Sequence, residues 1–130
     1  MDRLEFLNKE LGTDLISING IDWNNISKHQ KLSENFIREF QDKVNWCNIS
    51  YKQKLSEEFI REFQDKFNWI DISCHQKLSE DFIREFQDKL DWKNISEYQK
   101  LSEGFIREFQ NKVNWTYMLQ NIKNYQKILL

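Results

Sequence analysis

Apolar side chains return along this chain at intervals of three and four, and the whole pattern then returns every 23 residues. Trp23, Trp46, Trp69, Trp92 and Trp115 mark the frame. The string Gln-Lys-Leu-Ser-Glu at 30–34 recurs at 53–57, 76–80 and 99–103, and Phe-Ile-Arg-Glu-Phe-Gln at 36–41 moves with it. Four complete repeats cover 23–114; a fifth starts at Trp115 and diverges. A fixed internal period of this length marks a stacked-repeat architecture. It also suits leucine-rich repeats, so the element type has to be settled. In Val44-Asn45-Trp46-Cys47-Asn48-Ile49, a strand would separate Trp46 from Ile49. A helix places them together, three apart on one face.

Capping residues agree with helices. Asn45 stands as an N-cap with Val44 before it and Ile49 at the fourth helical position, a hydrophobic staple. Asp22, Asn68, Asp91 and Asn114 occupy the same place in the other repeats. Ser33 is a second N-cap, flanked by Leu32 and Ile37 in the same relation. Leu32, Phe36, Phe40 and Val44 form an apolar stripe at intervals of four. Each repeat is therefore expected to hold helix A over 23–31 and helix B over 34–43, joined by two-residue connectors. Glu34 with Arg38, and Glu39 with Lys43, are expected as ion pairs within helix B. Isolated helices shorter than about 12–15 residues are marginal in water, so the repeats must stack. The predicted fold class is all-α, an α-solenoid of short antiparallel helix pairs. The tryptophans are expected to be core residues, and burial of Trp69 would make Trp69→Ala cost about 3–5 kcal/mol.

The ends depart from the repeat. Residues 1–22 read as an N-terminal cap: Leu4, Phe6, Leu7 and Leu11 suit a short helix closed by Gly12, and the stretch 15–21 has no clear period. Residues 115–130 read as a longer C-terminal capping helix, with Met118, Leu119, Ile122, Tyr125 and Leu129 at helical spacing. The apolar run Ile128, Leu129, Leu130 has two readings, a packed cap or an end-to-end contact with another copy.

Composition narrows the function classes. The formal net charge is −2 and the two signs are interspersed. Repeat by repeat, basic and acidic residues number four and three, four and four, three and six, four and three. A protein that tracks phosphates shows a basic excess, and the arginines Arg38, Arg61, Arg84 and Arg107 each have a glutamate four residues earlier. Nucleic-acid binding is therefore the alternative rather than the expectation. No run approaches the roughly 18 apolar residues of a membrane span, and the first residues do not form a signal peptide. Cys47 and Cys74 occupy different positions in the repeat and are read as reduced thiols of an intracellular protein.

The recurring residues, in the first repeat Asp22, Trp23, Ile26, Ser27, Gln30, Leu32, Ser33, Glu34, Phe36, Ile37, Glu39 and Phe40, resemble the Asp-Trp-x-x-Ile-Ser, Gln-x-Leu-Ser-Glu-x-Phe-Ile, Glu-Phe repeats of giant DNA virus proteins. The resemblance covers 22–115. It implies an intracellular viral protein, placed in the host cytoplasm, and carries no assigned activity.

Candidate binding residues come from variation between repeats, since near-identical copies are what duplication leaves. Counted from Trp, the second, sixth and seventh positions vary most. They are Asn24, Lys28 and His29; Cys47, Tyr51 and Lys52; Ile70, Cys74 and His75; Lys93, Glu97 and Tyr98. Second and sixth positions lie one turn apart on helix A and share a face. Stacking would align them into a strip that either binds a protein partner or is solvated surface free to drift. His29, His75, Cys47 and Cys74 lack CxxC or HxxxH spacing, so no metal is expected. No nucleophile–base arrangement and no phosphate-cradling glycine loop is present, so neither catalysis nor a cofactor is expected. The sequence reads as an interaction or scaffolding module, with nucleic-acid binding or self-assembly as alternatives.

Overall fold

The computed structural model describes the backbone of residues 1–129 and the side chains of residues 1–123. Within these the chain forms ten α-helices and no strand. Helix α1 is Arg3–Leu11. The A helices are α2 (Trp23–His29), α4 (Trp46–Lys52), α6 (Trp69–His75) and α8 (Trp92–Tyr98). The B helices are α3 (Glu34–Glu39), α5 (Glu57–Glu62), α7 (Glu80–Glu85) and α9 (Glu103–Glu108), and α10 is Trp115–Leu129. The fold is an all-α helical repeat of solenoid type with a 23-residue period. The chain falls into two compact halves, Met1–Lys66 and Phe67–Leu130.

Every expected cap is made. The side chains of Asp22, Asn45, Asn68 and Asp91 accept the N–H groups of Asn25, Asn48, Asp71 and Asn94. Ser33, Ser56, Ser79 and Ser102 accept those of Phe36, Phe59, Phe82 and Phe105. Each satisfies a donor that the first turn leaves without a partner. The stripe is buried as expected: Leu32, Phe36, Phe40 and Val44 are at most 8% exposed, and Ile49 is fully enclosed. Each such side chain contributes about 1.5–3 kcal/mol on burial. Gly12 closes α1 in the left-handed region at φ 65.

The helices are shorter than expected. Helix A stops at His29 rather than 31, and helix B at Glu39 rather than 43. Gln30 is extended, at φ −94 and ψ 144, so the A–B connector spans 30–33. After Glu39 the chain tightens into a turn in which Lys43 N–H donates to Phe40 O over 2.8 Å, an i→i+3 bond. Val44 still donates to Phe40 O, which is why the spacing imitates a continuing helix.

A buried polar lattice ties one repeat to the next. In the first half, Gln53 Nε2 donates to Ser27 O (2.9 Å) and Gln30 O (2.7 Å), while Leu32 N–H donates to Gln53 Oε1 (3.0 Å). One side chain thus serves the carbonyls that end α2 and the amide beyond them. Gln99 does the same in the second half for Ser73 O, Gln76 O and Leu78 N. Enclosed serines add a second tie. Asn45 N–H donates to Ser27 Oγ, and Asp91 N–H to Ser73 Oγ, each over 2.9 Å.

The ion pairs expected within helix B instead run between repeats. Arg38 donates to Glu62, and Glu34 accepts from the Ser56 hydroxyl and amide. Glu39 is engaged by Arg3 of α1 (3.3 Å). Arg107 and Glu103 keep the i, i+4 pairing. Trp23, Trp46, Trp69 and Trp92 are half-buried rather than enclosed, each against phenylalanines of its own repeat, with Trp69 5.2 Å from the Phe86 ring, and Trp115 is exposed. At the C-terminus α10 runs on for 15 residues, as expected for a long terminal helix, with Met118 buried and Leu119 exposed. The side chains of Tyr125, Ile128, Leu129 and Leu130 lie outside the described residues.

Candidate interaction surface

The twelve variable positions all fall on A helices, whose starts are fixed by the caps and whose ends are fixed by the glutamine lattice. In the first half Asn24, Lys28, His29, Cys47, Tyr51 and Lys52 are all exposed. In the second half Ile70, His75, Lys93 and Tyr98 are exposed, while Cys74 and Glu97 are half-buried. Three of them put large apolar area into water: Tyr51 at 42%, Tyr98 at 55% and Ile70 at 58% exposed. Helix A therefore turns Ile and Ser of positions four and five inward, and positions two, six and seven outward.

Each half carries a shallow groove along this edge. In the first half it holds about 370 Å³ and is lined by Asn24, Asn25, Lys28, His29, Asn45 and Asn48. Its floor is built rather than accidental: Asn45 Nδ2 donates to Asn24 Oδ1 (2.8 Å) and Asn48 Nδ2 to Asn24 O (3.3 Å). Asn24 is thus partly committed to its neighbour repeat, a link that repeat-to-repeat variation does not reveal. In the second half a groove of about 310 Å³ is lined by Cys74, His75, Lys77, Tyr98 and Lys100. The two grooves differ in chemistry, amide-rich in one half, aromatic and basic in the other.

Local electrostatics follow these contacts. Burial pushes the Cys74 thiol up, the Asp71 and Glu97 carboxylates push the same way, and a bond with the Tyr98 hydroxyl opposes them. Cys74 is therefore held as a thiol and is a poor nucleophile at neutral pH. The Lys93 ammonium is raised by a hydrogen bond with Tyr117, over whose ring it sits at 5.0 Å. Lys52 lies 4.4 Å above the Tyr51 ring. Such cation–aromatic contacts hold long side chains against exposed rings. Cys47 and Cys74 are not joined in a disulfide. Among the described residues no three His, Cys, Asp or Glu side chains gather as metal ligands, and no helix is long and apolar enough to cross a membrane.

Sequence reasoning missed the residues that give this edge its rigidity. Gln53, Gln99, Ser27 and Ser73 are buried polar groups in the recurring set. Their period was visible, but their placement between repeats was not. The chain matches no protein-family profile, no curated protein and no solved structure.

Proposed function

We propose that the protein is an interaction module that recognises a protein partner through the variable edge of its A helices. The observation that carries this reading is a separation of roles by position. Residues that tie repeats together (Ser27, Gln53, Glu34, Arg38) recur, whereas positions two, six and seven change from repeat to repeat and are exposed or half-buried. Change at those positions costs the fold little, and exposed Tyr and Ile are side chains that supply interface energy. The grooves differ between halves, so a partner would meet distinct chemistry along the chain. Nucleic-acid recognition is not part of this reading, because cations of the B helices are engaged by carboxylates, as Arg38 is by Glu62 and Arg84 by Glu108. The repeat's resemblance to proteins of giant DNA viruses is consistent with a partner in the host cytoplasm.

The test uses two full-length baits against lysate of the host cell, followed by direct binding of whatever protein is retained. One bait is the natural chain. The other carries a single residue type at all twelve variable positions. Retention of a partner by the first bait and its loss by the second supports the reading. Equal recovery by both, or recovery by neither, overturns it.

A further inference from the structure

The fifth repeat begins like the others, but where they break at the A–B connector its helix runs on to Leu129. Trp115 sits as Trp46 and Trp92 do: its indole N–H donates to Gln110 O (3.1 Å), as theirs donate to Gln41 O and Gln87 O. Earlier tryptophans then lie on two phenylalanines of their own helix B, as Trp92 lies 6.4 and 5.3 Å from the Phe105 and Phe109 rings. Trp115 instead leads into α10, which runs on to Leu129, and the ring stays 46% exposed.

The adjoining face of α9 is incomplete in the same way. In α7, Glu80 accepts from the amide and hydroxyl of Ser102, the N-cap of the following helix B. Arg84 donates to Glu108 and covers the Phe105 ring at 5.2 Å. In α3, Glu34 and Arg38 make the same contacts with Ser56, Glu62 and Phe59. In α9 the corresponding Glu103 and Arg107 turn on each other and are 80% and 78% exposed, against 37% for Arg84. Ile106 is half-buried where Ile37, Ile60 and Ile83 are fully enclosed.

We propose that α9 and Trp115 together form a docking site for a helix with the chemistry of the repeat's own second helix, supplied by another molecule. That helix needs a serine N-cap to take Glu103, phenylalanines to lie on Trp115 and beneath Arg107, and a glutamate to pair with Arg107. The argument is continuity: the same interface is built within each half from the same residue types, and here one side of it is present alone. Opposite charges match at both ends of the docked helix, and its apolar centre covers Ile106. The site is separate from the variable helix-A edge and does not depend on its role.

A tethered segment tests this on the full chain. A copy of residues 76–89 is attached to the C-terminus by a flexible Gly/Ser linker of about 20 residues, which holds it at high effective concentration. The Trp115 indole N–H and the Ile106 amide are followed by NMR. Docking shifts both resonances and slows exchange of the Ile106 amide; replacing the tethered copies of Phe82 and Phe86 with Ala abolishes the effect. Arg107→Glu also abolishes it, and reversing the tethered copy of Glu85 to Arg restores it. Resonances that are the same with the intact and the Ala-substituted segment overturn the proposal, as does docking indifferent to Arg107→Glu.

Discussion

Helix A and helix B share each repeat, yet they tolerate change differently. Helix B keeps Glu34, Arg38, Glu39 and their equivalents from repeat to repeat and varies at one exposed position (Asn35, Glu58, Asp81, Gly104), whereas helix A varies at three. Duplication alone would leave both constant. The contacts supply a reason: the outward charges of helix B meet the same partner on the next helix B, as Arg38 meets Glu62 and Arg84 meets Glu108, whereas outward groups of helix A meet different partners from repeat to repeat, as Asn24 meets Asn45, Cys74 meets Tyr98 and Lys93 meets Tyr117. Helix A is tied to its neighbours through inward groups, Ser and the glutamine that follows it. An exposed residue is thus held constant where the stack presents it with the same partner in each repeat.

The largest expected effect that sharpens this contrast is on the buried lattice. Gln99→Leu removes the side chain that bonds the Leu78 amide and the Ser73 and Gln76 carbonyls. Each group left unsatisfied costs about 1–3 kcal/mol, so urea denaturation should show a loss of at least about 2 kcal/mol, and an unchanged midpoint would break the contrast. Trp69→Ala comes next. Because the ring is half-buried, its loss should fall below the roughly 3–5 kcal/mol of an enclosed tryptophan, near about 2 kcal/mol; a full-size loss would mean that the ring is enclosed in solution.

Smaller effects belong to the charged contacts. Arg38→Ala removes a pair whose side chains are 39% and 46% exposed. Solvent screening limits it to about 0.2–1 kcal/mol, and the difference should shrink as salt is added. Asp42 gives a pH signature. The hydrogen bond from Arg3 holds its carboxyl below the usual carboxylate range. A lowered folded value means that this contribution is complete above the unfolded value, near 3.9, and is lost as pH falls through the folded one. Asp42→Asn should therefore lower stability at pH 7 and converge with the natural chain in strong acid; equal stability at both pH values would contradict the pairing.

Most of the fold was legible because caps and stripes are local. Asp22, Asn45, Ser33 and Ser56 announce helix starts through chemistry that acts within three residues. Helix ends were harder. Here they are set by Gln53, one repeat away, and by a turn at Phe40 that preserves the apolar spacing of four. The charge pairs were misread for a related cause. Glu34 and Arg38 satisfy the i, i+4 rule, but a 23-residue period also brings Ser56 and Glu62 within reach. Glu62, which accepts the Arg38 Nε–H through both of its oxygens, won over the neighbour on the same helix. Sequence variation did locate the exposed edge, though not the Asn24–Asn45 bond within it. The docking face on α9 was out of reach, since it exists only by comparison with contacts that span repeats.

The measurement that bears most directly on this division of labour is the unfolding midpoint of the chain with all twelve variable positions made uniform, set beside Gln99→Leu. The account predicts that the twelve substitutions, each within about ±0.5 kcal/mol and of either sign as surface substitutions generally are, largely cancel, so that the uniform-edge midpoint stays closer to that of the natural chain than the Gln99→Leu midpoint does. A uniform edge that unfolds the protein as readily as Gln99→Leu would show that the variable positions hold the stack, and would contradict their reading as a surface left open for a partner.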